Sequence, residues 1–378
     1  MIRILIGGDV CPMGRVQAAF TAGQASDIFH DLLPEIQSAD LAVVNLECPL
    51  VSQPSPITKA ATILGAPPEC INGFVAAQWD ILNLANNHSF DHGAAGLNET
   101  IEAVRKAGLT VVGAGADLAE AQSPVVRLLN GQRVVIYSMA EREFSVADET
   151  TPGANPLDLI NFVQAVRRHK QDGVFIVLVH GGKEFYPYPS PEMVRRCRFM
   201  VDMGADAVVC CHTHCPLPWE IYAGRPIVYG LGNLVFEPLR AALPSWHQGY
   251  LARLEIDGNE VRFEQVPYTQ SLATIGAATM GNAEAVAFHQ ELQQRSGELQ
   301  DSRLIERKWR EFCQHDREDY LSELFGYPPA MHRLRRLLLP VIHPRKALLQ
   351  SLLLVQCETH REVLENIFRA ERVRGDLR

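Results

Sequence analysis

The chain has 378 residues, of which 47% are apolar and 21% charged, so it can bury a sizeable core as one large domain with an appendage. Its net charge of −9 lies in the first part, because residues 1–281 carry 19 Lys and Arg against 29 Asp and Glu, whereas residues 282–378 carry 16 against 15. An acidic body argues against a general nucleic-acid-binding surface, which needs clustered basic residues. It does not exclude a phosphate-bearing substrate, because bound cations can reverse the field inside a cleft.

The cysteine pattern and the N-terminus indicate the compartment. The nine cysteines are odd in number and contain no CxxC pair, which favours a reducing environment over a disulfide framework. The chain begins with a short strand-like run in place of a signal-peptide core, and it has no apolar run long enough to span a bilayer. We therefore expect a cytoplasmic protein.

The first half of the chain alternates short apolar runs with segments of helical spacing, which predicts a sheet with helices packed against it. The predicted strands cover residues 2–6, 41–44, 81–84 and 111–112, and the predicted helices cover residues 28–36, 68–77 and 94–107. Residues 125–129 and 134–138 flank Asn130-Gly131, a type I′ turn signal, and so predict a hairpin.

The second half moves from alternating units to hairpins. The sequence predicts a helix over 156–171, a strand over 174–179, a helix over 191–203 closed by Gly204, and a strand over 207–210. Two more hairpins are predicted, one pairing 221–222 with 227–229 and one pairing 251–256 with 261–266. This order of elements indicates two sheets.

After residue 281 the composition becomes that of a helical segment, so we place a boundary there between a domain of residues 1–281 and a C-terminal helical extension of residues 282–378. The predicted helices cover residues 285–295, 304–313, 320–324, 331–339 and 348–369. Between residues 324 and 357, five basic residues and no acidic residue lie among many leucines. This basic amphipathic pattern can contact a membrane surface or a protein partner, or form a plain helical subdomain or homo-oligomer seam. Pro340 and Pro344 break the run and favour the plain interpretation.

Polar residues with metal-ligand chemistry recur where predicted strands end. In open α/β sheets, ligand sites gather beyond the carboxyl ends of the strands, so five such elements point to one shared site. The residues are Asp9, Glu47, Asn87, His180, His212 and His214.

Each of these residues also has a structural interpretation. Asp9 can belong to an ordinary Gly-Asp turn, and Asn87 can cap the helix that follows it. A lone His180 at a strand end is more often a hydrogen-bonded structural histidine. His212 and His214 are stronger candidates, since an i, i+2 pair in a tight loop can turn both imidazoles toward neighbouring metal ions.

Eight motifs occur in order along the chain: Gly8-Asp9, Asn45-Leu46-Glu47, Leu84-Ala85-Asn86-Asn87-His88-Ser89-Phe90-Asp91-His92-Gly93, Val112-Gly113-Ala114-Gly115, His180-Gly181-Gly182-Lys183-Glu184, Gly204-Ala205-Asp206, His212-Thr213-His214 and Tyr229-Gly230-Leu231-Gly232-Asn233. Their order resembles the CapA family, which is named for poly-γ-glutamate capsule synthesis and is related to calcineurin-like metallophosphoesterases. The resemblance covers about residues 1–270 and implies an α/β fold, a four-layer α/β/β/α sandwich of two mixed sheets, with a dinuclear metal centre at one edge.

The resemblance also implies a role for each candidate ligand. Two divalent ions, with Mn, Fe or Zn favoured by mixed carboxylate, amide and imidazole donors, would lie side by side. The first would be held by Asp9 and His214, the second by Asn87, His180 and His212, and Glu47 would bridge them.

The implied activity is metal-dependent hydrolysis of a phosphate ester or diester in a small molecule or surface-polymer precursor. His88 would lie above the metals and protonate the departing oxygen, and Asp91 would orient its imidazole. The alternative is a non-hydrolytic accessory of capsule or poly-γ-glutamate assembly. A degenerate fold kept as a scaffold is the weaker third interpretation.

The sequence departs from the family pattern at several positions. The first motif of related phosphoesterases is often Asp-x-His, whereas Cys11 stands here and is either a thiolate ligand or a small core residue. Phe185 stands where the family usually has a tyrosine. Candidates for contacts to an anionic substrate, each equally explained as surface charge, are Arg15, Lys59, Lys183 and Glu184.

Overall fold

The computed structural model describes residues 1–59, 62–238 and 242–315, and its elements follow the periodicity of the sequence. Contacts divide the chain into a first compact unit, Met1–Ile305, and a second that begins at Glu306. The first unit thus extends past the boundary expected near residue 281. The predicted helices over 320–324, 331–339 and 348–369, with their basic run, lie outside the described residues.

Two facing sheets form the middle of the first unit. The strands are β1 (Ile2–Cys11), β2 (Leu41–Leu46), β3 (Ile81–Asn83), β4 (Thr110–Val112), β5 (Ala114–Gly115), β6 (Val125–Leu129), β7 (Gln132–Ala140), β8 (Gly153–Ala154), β9 (Val174–His180), β10 (Ala207–Cys211), β11 (Trp219–Tyr222), β12 (Arg225–Val228), β13 (Asn233–Phe236), β14 (Gln248–Asp257), β15 (Glu260–Gln270) and β16 (Ala277–Thr279). The larger sheet has the order β16-β15-β14-β1-β2-β3-β4, with β13 also pairing β1, and the smaller has the order β11-β12-β10-β9-β7-β6. Both mix parallel and antiparallel pairs.

The α-helices of the described residues are α1 (Gln17–Ala22), α2 (Ala25–Phe29), α3 (Leu33–Gln37), α4 (Ile71–Ala77), α5 (Gly93–Lys106), α6 (Leu118–Ala121), α7 (Leu159–His169), α8 (Pro191–Asp202), α9 (Asn282–Glu298) and α10 (Ser302–His315). The outer face of the larger sheet is covered by α1–α5, and that of the smaller sheet by α7 and α8. Side-chain caps set two of their starts: the Asp158 carboxylate accepts hydrogen bonds from the first turn of α7, and the Ser190 hydroxyl accepts one from α8. None of the helices in the described ranges has the length and apolar character needed to cross a bilayer.

Three apolar cores separate the layers. The central core joins residues of both sheets, such as Ile4 and Val43 of the larger sheet and Ile176 and Val209 of the smaller one. A second core lies between the larger sheet and α1–α5, and a third lies between the smaller sheet and α7 and α8. The predicted four-layer α/β/β/α arrangement is therefore confirmed.

Two local predictions differ from the structure. Residues 28–36 do not form one helix but the end of α2 and most of α3, because His30 takes a left-handed backbone conformation (φ 42°) between them. Pro34 lies in the first turn of α3, where the missing N–H costs no helical hydrogen bond. α9 contributes Phe288 and Leu292 to the central core, which explains why the first compact unit continues past residue 281.

Candidate metal centre

Five parallel strands of the two sheets end near one another, and each brings polar side chains to the same place. The strands are β1, β2 and β3 of the larger sheet and β9 and β10 of the smaller. All six predicted ligands come together there, and each is buried: Asp9, Glu47, Asn87, His180, His212 and His214.

Asp9 lies within β1 and not after it, at a point where the register shifts against both β2 and β13. A bulge of this kind redirects a side chain. Gly8 permits it, because a Cβ atom there would lie 2.0 Å from the carbonyl oxygen of Gly232. The Asp9 carboxylate accepts hydrogen bonds from Asn45 Nδ2 at 2.7 Å and from the backbone N–H of His212 at 3.1 Å, so its position is fixed on two sides.

Glu47 lies directly after β2, where its backbone N–H donates to Val10 at 2.9 Å. Both carboxylate oxygens are buried without a hydrogen-bond partner among the described residues. Its Oε1 lies 3.6 Å from His180 Nε2 and 3.8 Å from His214 Nε2. A buried carboxylate without donors is costly, so this carboxylate fits a site for a cation.

Asn87, His180 and His212 converge beside Glu47. His180 Nε2 lies 3.0 Å from Asn87 Oδ1 and 3.1 Å from His212 Nδ1. Atoms that bind one ion with bonds of about 2.1 Å lie roughly 3.0–3.5 Å apart. The spacing of these donors therefore fits a shared ion.

Three overlapping groups of ligand atoms, each with all members within 4.8 Å of one another, occur in the described residues: Glu47, His180 and His212; Asp9, Glu47 and His214; and Asp9, His180 and Cys211. The first two share Glu47, which is the arrangement that a bridging carboxylate requires. The donor chemistry is thus compatible with metal binding.

The protonation of the cluster reflects burial without a compensating charge. Burial raises the pKa of Glu47 well above its usual range, and the charge of Asp9 adds to the rise. Burial lowers the pKa of His180 well below its usual range and that of His212 to about 3, and neighbouring imidazoles strengthen both shifts. Neutral imidazole is the form that binds a metal ion, so burial favours the ligating state of these two histidines.

Asparagine side chains form hydrogen bonds to the candidate ligands on the side away from the cluster. Asn233 Oδ1 lies 2.8 Å from His214 Nδ1, which leaves Nε2 of that ring facing the cluster. Asn45 Oδ1 accepts hydrogen bonds from Asn83 Nδ2 at 3.0 Å and Asn86 Nδ2 at 3.1 Å. Sequence reasoning placed Asn233 in a motif without a role, because the role depends on the pairing of β13 with β1.

The loop after β10 carries backbone strain. His212 and His214 both have positive φ, 99° and 53°. A non-glycine residue in this region costs free energy, and such residues concentrate at functional sites. The strain turns both imidazoles of the i, i+2 pair toward the cluster.

The cysteines around the cluster differ in how closely they approach its ligand atoms. Burial raises the pKa of Cys11, which disfavours the thiolate, and Cys11 belongs to none of the ligand groups found in the described ranges. The Sγ atom of Cys211 lies 3.4 Å from His180 Nδ1. The Sγ atoms of Cys210 and Cys197 lie 3.8 Å apart, and both residues belong to the third core.

His88 and Asp91 form a second polar network beside the ligands. His88 Nδ1 lies 2.8 Å from Asp91 Oδ2, and this oxygen also accepts the backbone N–H of Leu64 at 2.7 Å. Lys59 forms an ion pair with Asp91 Oδ1, and its ammonium lies 3.2 Å from His88 Nδ1. The Lys59 side chain is 0% exposed, so it stands inside this network and not at the surface.

The other candidates for substrate contacts lie at different distances from the cluster. Arg15 binds Glu237 and backbone carbonyls near residue 272, which engages it away from the ligands. Glu184 Oε1 lies 4.0 Å from His212 Nε2, and the charge of Lys183 also reaches this imidazole. These two residues border the site.

Two further residues at the site were not among the sequence candidates. Glu143, on the segment between β7 and β8, accepts a hydrogen bond from Asn87 Nδ2 at 3.1 Å, and burial raises its pKa. Trp246 lies 4.9 Å from the His214 ring, between ring centroids, and stacks with Phe185 at 6.0 Å. No strand end or motif in the sequence marks Glu143 or Trp246.

The facing sheets and the buried cluster at their edge define a protein with the metallophosphoesterase-like fold. The chain belongs to the family described as bacterial capsule synthesis protein PGA_cap, which matches residues 3–238. The resemblance to CapA proteins inferred from the motifs is therefore confirmed.

Curated relatives carry names of the same kind. The capsule biosynthesis protein CapA of Bacillus anthracis is 31% identical over 61% of this chain and 58% of its own length. The PGA biosynthesis protein CapA of Bacillus subtilis is 31% identical over 61% of this chain and 62% of its own length. A probable polyglutamine synthesis accessory protein of Mycobacterium tuberculosis is 32% identical over 53% of this chain and 57% of its own length. The matches thus span less than two thirds of these relatives.

Solved structures show weaker similarity. A hypothetical protein from Thermus thermophilus has a TM-score of 0.45 and 16% identity, covering 71% of this chain and 100% of its own. The 5′-nucleotidase from Candida albicans has a TM-score of 0.41 and 10% identity, covering 84% of this chain and 59% of its own.

Proposed function

We propose that the protein is a hydrolase that depends on two divalent metal ions and cleaves a phosphate ester or diester of a small molecule or surface-polymer precursor. The observation that supports this most directly is the buried, unpartnered Glu47 carboxylate between the nitrogens of His180 and His214. Carboxylate, amide and imidazole donors suit Mn, Fe or Zn better than Mg or Ca.

The protein supplies a buried set of ligand side chains whose positions are fixed by hydrogen bonds. Asp9 is held by Asn45 and the backbone of His212, and the His214 ring is held by Asn233. Because these contacts exist before substrate arrives, little reorganisation is needed during reaction. Bound divalent ions supply phosphate binding, acidification of water and stabilisation of developing charge.

His88 is the proposed proton donor for the departing oxygen. Asp91 and its partners hold the Nδ1 side of the ring, which leaves Nε2 as the nitrogen that can reach a substrate. A positioned imidazole typically contributes about 10²–10⁴-fold to the rate of such a proton transfer. Asp91 acts through His88 as a positioning residue.

Metal content and hydrolysis test the proposal together. We would purify the protein without chelator, measure bound metals by mass spectrometry, and assay p-nitrophenyl phosphate and bis(p-nitrophenyl) phosphate. Glu47→Gln should lose bound metal and activity, because the bridging charge is removed. His88→Ala should keep the metal and lower kcat by about 10²–10⁴-fold.

His289→Ala is the matched control. This histidine lies on α9 and contacts Gln265, so its removal deletes an imidazole outside the cluster. Metal content and activity should stay at the unmodified level. Hydrolysis that survives both Glu47→Gln and His88→Ala would remove the basis of the hydrolase proposal.

A second candidate is a non-hydrolytic accessory role in capsule or poly-γ-glutamate assembly. The names of the relatives favour it, since two are named for capsule or PGA biosynthesis and a third as a probable synthesis accessory protein. Such a role would involve a polymer, a membrane surface or a protein partner, and we propose the basic segment between residues 324 and 357 as its contact.

Polymer production separates the two candidates. In a host that depends on this protein for its polymer, His88→Ala should abolish production if hydrolysis is required and leave it unchanged if the role is accessory. Deletion of residues 306–378 leaves the first compact unit complete. It should abolish an accessory role while hydrolysis of the model esters continues.

A further inference from the structure

Glu143 contacts one proposed metal ligand and faces another. One carboxylate oxygen accepts a hydrogen bond from Asn87 Nδ2 at 3.1 Å, and the other lies 3.8 Å from His212 Nε2. Glu143 itself joins none of the ligand groups found in the described part of the chain. It therefore touches the far sides of these two side chains, away from the atoms that converge on His180.

The segment that carries Glu143 is tied to the ligands at both ends. The backbone N–H of Glu141 donates to the carbonyl of His180 at 2.9 Å. The hydroxyl of Ser145 donates to the carbonyl of Asn86 at 2.6 Å. Because both anchors are a ligand or the residue beside one, the position of Glu143 is set relative to the cluster and not by an independent loop.

A carboxylate in this position determines which way the Asn87 amide faces. An asparagine amide can rotate so that its oxygen and nitrogen exchange places, and only the oxygen can bind a metal ion. An ionised carboxylate accepts hydrogen bonds and donates none, so it selects the orientation with Nδ2 toward Glu143. Asn87 Oδ1 then points toward His180 Nε2, as observed at 3.0 Å.

Glu143 also influences the orientation of His212, but less strongly, because its carboxylate lies 3.8 Å from Nε2. A negative charge near Nε2 favours the tautomer with its proton on that nitrogen, which leaves the Nδ1 lone pair free. Nδ1 is the atom that lies 3.1 Å from His180 Nε2. Glu184 also faces Nε2, at 4.0 Å, so this effect is shared.

We propose that Glu143 is a positioning residue that orients Asn87, and with Glu184 the His212 ring, for binding of the second metal ion. The inference rests on the proposed metal-dependent function. Carboxylates of this kind typically raise metal affinity or activity by about 10–100-fold. The expected effect of removing Glu143 is therefore a selective weakening of one of the two ions.

Metal titration of the full-length, chelator-stripped protein tests the inference without any assay of activity. Mn²⁺ binding would be followed by calorimetry and Co²⁺ binding by visible absorption. In Glu143→Gln, one equivalent should keep its affinity, while the other weakens by about 10–100-fold with a changed Co²⁺ spectrum. Glu260→Gln is the matched control, because its carboxylate pairs with Arg262 on β15 and joins none of the ligand groups found in the described residues, so both affinities should stay unchanged.

A double-mutant cycle identifies the path of the effect. If Glu143 acts through Asn87, Glu143→Gln should add little to the loss caused by Asn87→Ala. Circular dichroism and thermal unfolding of the metal-free variants would confirm that the fold is retained; Glu143→Asp provides a second variant that keeps the charge and should recover part of the affinity.

The outcomes distinguish the inference from the function beneath it. Two equivalents with unchanged affinity and spectrum in Glu143→Gln, or full additivity with Asn87→Ala, would overturn the role of Glu143 alone. Failure of the unmodified protein to bind Mn²⁺ or Co²⁺ would overturn the metal-dependent function together with it.

Discussion

Two buried glutamates of this protein stand in opposite circumstances. Glu220 on β11 is bound by both guanidinium arms of Arg198, at 2.9 and 2.7 Å, and by the Tyr229 hydroxyl at 2.6 Å. Glu47 is equally buried, and its oxygens receive no hydrogen bond from the described residues. Folding compensates the first charge from within the chain, whereas the second lies beside the imidazoles of His180 and His214 and the carboxylate of Asp9. The contrast is compatible with a cation site at Glu47.

Asp91 shows that the compensation can occur close to the cluster. Its carboxylate has Lys59, His88 and the backbone of Leu64 as partners. The buried lysine of this region, Lys59, therefore pairs with Asp91 and not with Glu47. Leaving Glu47 without such a partner is a feature of the site and not a consequence of its depth.

Among substitutions that remove the partner of a buried carboxylate, Lys59→Met should cause the largest loss of stability. It leaves the Asp91 charge buried with one imidazole and the backbone N–H of Leu64 but no cation, so the free energy of unfolding should fall by about 4 kcal/mol, as measured by urea denaturation. Lys170→Met is the matched control. Its partner Asp206 keeps a second ion pair with Arg225 at 3.0 Å, so the loss should be clearly smaller. Equal losses would show that Lys59 acts through packing alone.

Arg198→Met tests the Glu220 side of the comparison. The arginine side chain is 30% exposed and Glu220 only 3%, so water can replace part of the lost contact. The free energy of unfolding should fall by about 3 kcal/mol in the same measurement. Arg195→Met removes an exposed arginine paired with Glu192 and should leave stability unchanged.

Added metal tests directly whether the unpartnered Glu47 carboxylate belongs to a cation site. A ligand at 100 times its dissociation constant stabilises the folded state by about 2.7 kcal/mol, which for a chain of 378 residues raises Tm by roughly 3–4 °C. Thermal unfolding with and without Mn²⁺ should show this rise for the unmodified protein and for Arg195→Met. Glu47→Gln should abolish it, and an undiminished rise would place the metal elsewhere.

Glu47→Gln in the metal-free protein should give the smallest effect, with the opposite sign. Glutamine keeps the side-chain volume and replaces a carboxyl group that folding buries without a compensating partner, so the free energy of unfolding should rise by about 1 kcal/mol. Urea denaturation in the presence of a chelator measures this. A loss comparable to that of Arg198→Met would mean that Glu47 has a structural partner, and the comparison would fail.

The order of sheet and helix elements could be predicted from the sequence because it depends on local periodicity. The hairpins at β6–β7, β11–β12 and β14–β15 follow from turn residues between apolar runs, and each lies where it was predicted. The break between α2 and α3 could not be predicted in the same way. It depends on the left-handed backbone at His30, whose ring bonds the distant carbonyl of Ile275 at 2.9 Å.

In the candidate site, too, the local features could be predicted from the sequence and the contacts between distant residues could not. Residue types and their places at strand ends predicted six candidate ligands that the structure brings together, since parallel strands share one carboxyl edge. The partners that orient or neutralise them could not be selected. Glu143 lies 56 residues from Asn87, and Lys59 lies on a segment whose sequence equally indicated surface charge.

The sequence by itself determined which elements form and which chemical groups each strand delivers, because both follow from neighbours along the chain. Only the tertiary structure decided which buried charges are compensated. In the folded protein Lys59 pairs with Asp91 and Arg198 pairs with Glu220, whereas no hydrogen-bond donor among the described residues contacts the Glu47 carboxylate. The physical reason is that compensation depends on contacts across sheet pairings and loops distant in sequence, and burial makes each of those contacts decisive.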